Sequence, residues 1–159
     1  MDQIKVDALD IAILRELKRN CKEPYRDFAQ RLGTHPNTVI QRVHHLEHAG
    51  VIKGYSADID YSKIGYDYHG LIMIRTSKIS DSKNLWVFDD VVNIPQIETA
   101  YAVTGAYDAL ATIRVKNREE MVGVLKELQE CKVVLKTNTH IILQTFKHAY
   151  DYNPFYSVL

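Results

Sequence analysis

The chain has 159 residues, 46% of them apolar and 25% charged, which is the profile of a folded protein rather than a disordered one. Twenty Lys and Arg offset twenty Asp and Glu, so bulk charge selects neither nucleic acid nor membrane as partner. No stretch approaches the roughly 18 uninterrupted apolar residues of a spanning helix, and the N-terminus lacks the apolar core of a signal peptide, so a cytoplasmic protein without membrane contact is expected.

The first third reads as helices. From Asp7 to Asn20, Leu9, Ile13 and Leu17 recur at i, i+4 and i+8, with Ile11, Ala12 and Leu14 widening the stripe into one face of an amphipathic helix. Pro24 opens a second, short helix whose inner side is Phe28, Ala29 and Leu32, and Gly33 ends it. Pro36 opens a third, with Val39, Val43, Leu46 and Ala49 as its apolar stripe and Gly50 as its stop. Gly33-Thr34-His35 is then a tight turn, in which Thr34 is available as a helix cap. Cys21 stands in this region and Cys131 far from it, without CxxC or metal-ligand spacing, so both are expected to be ordinary buried or half-buried side chains.

After Gly50 the pattern turns toward period two. Val51 to Ile59 reads as an extended link, and Gly65-Tyr66 as a hinge, with the domain boundary between residues 60 and 66. Leu71 to Ile74 is apolar on both faces of a strand. Asp81 or Ser82 caps an expected helix running to Val92, with Leu85, Trp86, Phe88 and Val92 inward. Ile97 to Thr104 and Tyr107 to Val115 form two strands about a Gly105-Ala106 turn, the second placing Tyr107, Ala109, Ala111, Ile113 and Val115 on one face. Asn117 precedes a helix bearing Met121, Val122, Leu125 and Leu128, and Thr139 to Phe146 returns as a strand. The order βαββαβ predicts a ferredoxin-like sheet with both helices on one face, the other face being free to pair with a second subunit. The fold class is therefore α+β: an N-terminal three-helix, winged helix-turn-helix domain over residues 1–54, a linker over 55–66, the ferredoxin-like domain over 67–149, and an aromatic tail over 150–159.

Two helices joined by a Gly-containing turn form a helix-turn-helix candidate, whose second helix is the element that enters a major groove; the plain alternative is a three-helix bundle. With Val39, Val43 and Leu46 inward, Asn37, Gln41, His44 and His48 face outward, flanked by Thr38, Arg42 and His45. Asn and Gln match an adenine edge, Thr meets a thymine methyl, and Arg reaches guanine or phosphate. Residues 1–54 carry a net charge of +2 and the remainder −2, so the neutral total conceals a modest basic bias at the helical end.

The stretches Val6–Leu14 (VDALDIAIL), Phe28–Gly33 (FAQRLG), Thr38–Val43 (TVIQRV) and Leu46–Tyr55 (LEHAGVIKGY) resemble the DNA-binding domain of the leucine-responsive, Lrp/AsnC (feast/famine) transcription regulators. Val103–Asp108 (VTGAYD) is similar to the strand-turn-strand signature of that family's ACT-like, effector-sensing module. The resemblance spans about Val6 to Lys147. It implies double-stranded DNA as partner, a homodimer built through the second domains and assembling further, and amino acids or related metabolites as effectors bound between those domains. The chain departs from the family at Thr34-His35, where Leu-Ser is usual, and late in the third helix, where His44, His45 and His48 replace basic residues. DNA contact is thus assigned to His35, Asn37, Thr38, Gln41, Arg42, His44 and His45.

For an amino-acid effector, the exposed amides of Thr104, Gly105 and Ala106 suit a carboxylate and Asp108 an ammonium, with Tyr107 beside them and Thr137 and Thr139 as further candidates. The plain alternatives are hairpin chemistry at Gly105 and Asp108 and ordinary strand residues at the two threonines. An enzyme is the rival class, but no nucleophile elbow, P-loop, HExxH or GxGxxG organises a catalytic site, and no cofactor is expected. His44 and His48 stand at i and i+4 without a third ligand nearby, so a solvated face is preferred to a metal site. A metabolite-binding module without DNA, or an architectural DNA-binding protein without an effector, are the remaining alternatives.

Overall fold

The computed structural model describes residues 4–77, 89–148 and 151–157. It divides into two compact units, one formed by the chain up to Asp58 together with the chain from Phe146 onward, the other running from Ile59 to Thr145.

The first unit is built on α1 (Ala8–Asn20), α2 (Tyr25–Arg31) and α3 (Pro36–His48). Asp7 starts α1 through a capping box: its carboxylate accepts the Asp10 amide at 2.9 Å, and Asp10 accepts the Asp7 amide at 3.0 Å. Ile13, Leu17, Phe28, Ala29, Val39 and Val43 form one buried cluster, with Leu9, Tyr25, Leu32 and Ile52 packed against it. Each such large apolar side chain is worth about 2 kcal/mol over its exposed form, so the expected stripes supply the core that fixes the three helices. Gly33 closes α2 in the left-handed region, φ 61°, which only glycine adopts without steric cost, and the turn continues as Thr34 donates its amide to the Ala29 carbonyl at 2.9 Å. The extended link expected over Val51 to Ile59 runs without a paired strand. A 3-10 turn, Pro154–Ser157, brings the C-terminal segment against α1.

The second unit is a four-stranded antiparallel sheet, β1 (Tyr68–Thr76), β2 (Ile97–Ala102), β3 (Ala109–Val115) and β4 (Val134–Ile141), in the order β2-β3-β1-β4. Between β1 and β2 lies α4 (Asp89–Val92), and between β3 and β4 lies α5 (Arg118–Glu130), started by Asn117, whose side chain accepts the Glu120 amide at 2.8 Å. Ile72, Ile74, Ala109, Ala111, Ile113 and Val115 from the sheet bury against Val91, Ile94, Met121, Val124 and Leu128. Gly70 belongs to this packing: a Cβ there would stand 3.1 Å from Ile113.

Several details differ from the sequence reading. Residues 81–88, with Leu85, Trp86 and Phe88, lie outside the described residues. In α4 Val91 is inward and Val92 exposed; in α5 Met121 and Leu128 are inward as expected, joined by Val124, while Val122 is exposed. One position along a helix is a rotation of about 100°, so neighbouring apolar residues exchange faces when the register shifts by one or two. The last strand begins at Val134 rather than Thr139 and ends at Ile141, leaving Leu143 and Phe146 exposed. Its pairing runs from Thr76 opposite Val134 to Gly70 opposite Ile141, a ladder of backbone bonds that accepts the polar run Lys136 to Asn138. Cys21 is exposed rather than buried, and Cys131 is half-buried.

Candidate nucleic-acid and effector sites

The outer face of α3 carries the residues expected to read DNA. Val39, Val43 and Leu46 are buried, and on the other side Asn37, Gln41, His44, His45 and His48 are exposed. Thr38 and Arg42 are half-buried at the edges of that face. Pro36 occupies the first helical position, which makes His35 the cap: its Nδ1 accepts the Asn37 amide at 3.2 Å. The cap is therefore His35 rather than Thr34.

Arg42 is committed within the unit. Its Nη1 donates to Asp7 Oδ2 at 2.6 Å and lies 3.1 Å from Asp10 Oδ1, tying the middle of α3 to the start of α1. The Asp10 amide and the Arg42 guanidinium hold the Asp7 carboxyl below its usual range, and the same pair of carboxylates raises the Arg42 guanidinium. A second ionic knot joins α1 to α2, where Arg31 bridges Glu16 and Glu23. Hydrogen bonding to Arg31 lowers the Glu23 carboxyl and raises the guanidinium. Late in α3, His44 Nδ1 stands 3.4 Å from Glu47, which also accepts the Tyr55 hydroxyl at 2.8 Å. Burial, then that bond, pushes the Tyr55 phenol up.

In the second unit, Thr104, Gly105 and Ala106 form the exposed turn between β2 and β3, Gly105 having φ 120°. Tyr107 and Asp108 are half-buried. Asp108 Oδ2 accepts the Thr76 amide at 2.7 Å and the Thr76 hydroxyl at 3.2 Å, and its own amide donates to Ile74 at 2.9 Å. The carboxylate thus fastens the turn to the end of β1. Thr137 and Thr139 pair with Ile74 and Ile72, on the sheet face that the helices cover. The neighbour that sequence reasoning missed is Asn138, whose amide donates to the Tyr107 hydroxyl at 3.4 Å; its signal is the alternation of Thr137, Asn138 and Thr139 along β4.

The opposite face of the sheet presents Leu71, Met73 and Leu110, half-buried, with Tyr101 beside them at 59% exposure. At one end of this face a charged row crosses three strands: Glu98 on β2, Arg114 on β3 and His69 on β1. His69 Nε2 lies 3.3 Å from Glu98, and Arg114 reaches the same carboxylate at 3.3 Å. The Arg114 guanidinium also sits 4.8 Å over the ring of Tyr61, in the 3-10 turn Tyr61–Ile64. Among the described residues no group of His, Cys, Asp or Glu is arranged to hold a metal ion, and no helix is long and apolar enough to cross a membrane.

Two family models match: the AsnC-type helix-turn-helix domain over residues 6–47 and the Lrp/AsnC ligand binding domain over residues 70–152. The regulatory protein AsnC of Haemophilus influenzae is 33% identical over 144 residues, covering 87% of this chain and 92% of that protein. The transcriptional regulator FL11 of Pyrococcus horikoshii is 31% identical over 147 residues, covering 92% and 95%. Among solved structures, AsnC of E. coli superposes with a TM-score of 0.82 at 26% identity, over 91% of this chain and 97% of that one. The regulator NMB0573 of Neisseria meningitidis, solved with L-Met, shares the fold with a TM-score of 0.85 at 22% identity, over 98% and 100%. With both domain models in order, the matching sheet topology and relatives over nearly the whole length, this chain belongs to the Lrp/AsnC family of DNA-binding transcription regulators.

Proposed function

We propose that the exposed face of α3 reads operator DNA through His35, Asn37, Thr38, Gln41, His44 and His45, with an amino acid bound at the sheet unit modulating the outcome. The observation that carries this reading is the composition of that face: groups that pair with base edges, on a helix whose opposite side is locked into a buried core. Arg42 adds to phosphate contact chiefly by holding α3 against α1. The protein acts as a homodimer or higher assembly in the cytoplasm. Support for the dimer is the open sheet face, whose apolar centre and charged rim have the anatomy of a subunit interface. The amides of Thr104 to Ala106 and the side chains of Tyr107 and Asp108 form the effector subsite, and an amino acid suits it because it carries both charges; the L-Met complex of the Neisseria protein is in keeping with that class. Thr137 and Thr139 serve pairing in β4.

The deciding experiment is selection of bound sequences from random duplexes, with and without a panel of amino acids. A single enriched site whose preference changes in Gln41→Ala and Asn37→Ala supports the reading. Equal binding by both variants to the parent's selected site would remove α3 from base readout.

A further inference from the structure

The cap of the recognition helix is a titratable group. Pro36 at the first helical position leaves His35 as the residue that must turn the chain into α3, and His35 has the extended backbone, φ −87° and ψ 143°, that both a cap and a residue before proline require. The Asn37 amide donates to Nδ1 at 3.2 Å, so Nδ1 carries a lone pair and not a proton. This bond exists only in the neutral imidazole whose hydrogen is on Nε2. Protonating Nδ1 replaces the acceptor by a donor facing another donor. It also puts a positive charge at the positive end of the helix dipole. Both effects act in the same direction, against an ordered first turn of α3.

We propose that His35 is a positioning residue of the DNA interface, holding the first turn of α3 only in its neutral, Nε2-protonated form, so that DNA affinity is lost as His35 takes up a proton. The proposal rests on α3 being the reading helix. The stabilisation is complete while His35 is neutral and disappears as Nδ1 takes up a proton. The charged groups on elements packed against α3 are engaged elsewhere. Arg31 on α2 is bound to Glu16 and Glu23, and Asp27 lies beside Arg26. On α1, Asp7 and Asp10 hold Arg42, Arg19 contacts Glu16 and Glu23, and Arg15 and Lys18 line a cavity of about 460 Å³ with Asp151 and Asn153. On α3 itself, Arg42, His44, His45, Glu47 and His48 stand in the middle and last turns. The pH response of the first turn is therefore assigned to His35.

The test uses the full chain in the background His44→Gln, His45→Gln, His48→Gln, which removes the histidines within α3. Loss of one side-chain cap corresponds to about fivefold in an equilibrium constant. Binding to the selected duplex should weaken by about that factor between pH 8 and pH 5.5, and adding His35→Asn, a cap that accepts without titrating, should abolish the drop whatever the variant's affinity at pH 8. Nitrogen NMR of the free protein should find the His35 ring protonated on Nε2 at pH 8, with the Asn37 amide resonance moving as His35 titrates. A ring protonated on Nδ1 at pH 8, or a His35→Asn variant that keeps the drop, overturns the proposal. Failure of the α3 reading shows separately, as Gln41→Ala retaining the parent's sequence preference.

Discussion

Arg42 and Asp10 stand 32 positions apart in the chain and meet at 3.1 Å, with Asp10 2% exposed and also accepting the Asp7 amide. One carboxylate thereby ends the capping box of α1 and anchors the middle of α3. A cationic residue on a DNA-facing helix reads as a phosphate ligand in isolation, yet here its first partner is intramolecular.

The Asp10→Ala variant is expected to lose the reciprocal cap and leave Arg42 with Asp7 alone, lowering Tm by about 5 °C. DNA affinity should fall with it, because α3 loses its tie to α1, although Asp10 offers nothing to a phosphate. Arg42→Ala should likewise lower both. Differential scanning calorimetry beside a binding titration checks this; an Arg42→Ala variant with the parent's Tm and weaker binding would make Arg42 a direct phosphate ligand and nothing more.

Acid sensitivity follows from the same cluster. The Asp10 amide, then Arg42, hold the Asp7 carboxyl low, and Arg31 does the same for Glu23. Because the folded form prefers these groups ionised, the unfolded chain takes up protons first on acidification. Their contribution is complete above the ordinary carboxylate range, about pH 4, and is lost as the pH falls through the lowered folded values. Asp7→Asn retains an acceptor for the Asp10 amide but cannot ionise. Its deficit in urea midpoint should be full at pH 6 and shrink as the pH approaches 3, whereas a deficit independent of pH would show that the charge on Asp7 contributes nothing.

For Asp108, anchoring and effector binding make different demands on the same carboxylate. Removing it breaks the bonds to the Thr76 amide and hydroxyl, so Asp108→Ala should lower Tm by about 3 °C as well as abolish the effector's influence on DNA binding. Thr76→Val removes only the hydroxyl partner and should keep the effector response. If Asp108→Ala responds to the effector as the parent does, the ammonium partner lies elsewhere.

How much of this was legible differs from element to element. The stripes Leu9-Ile13-Leu17 and Val39-Val43-Leu46, with Pro36, Gly33 and Gly50 as punctuation, specify the helices locally, and the structure follows them within a residue or two. The choice of Val91 over Val92 was not readable, because it turns on a register set by the sheet beneath. The early start of β4 was hidden for a related reason: backbone pairing with β1 does not require apolar side chains at Lys136 to Asn138. At the sites, Asn37 and Gln41 were readable as outward positions on a helix. The partners of Arg42 and Asp108 lie 32 or more positions away in the chain and leave no local trace. The His35 cap did leave one, since a proline in the first turn fixes which residue precedes it.

The remaining histidines of α3 give a pH effect of opposite sign to the cap. His44, His45 and His48 are exposed in the middle and last turns, and His44 already faces the Glu47 carboxylate at 3.4 Å. Phosphates brought alongside favour the imidazolium, so proton uptake accompanies binding wherever the free rings are neutral. Affinity of the parent should rise as the pH falls from about 8 toward 6, and each proton that joins a phosphate contact should steepen the log-affinity against log-salt slope by roughly 0.9. The cap at His35 opposes this gain, so the rise in the parent should be smaller than in a His35→Asn variant. A general change in protein charge, which also involves His69, His140 and His148, predicts a rise that survives replacement of the α3 histidines. The His44→Gln, His45→Gln, His48→Gln variant keeps polarity without titration, and should lose the rise between pH 8 and pH 6 together with the extra salt dependence. Binding to one duplex across a salt series at both pH values decides the matter: a triple variant with the parent's pH dependence would take these three side chains off the DNA backbone.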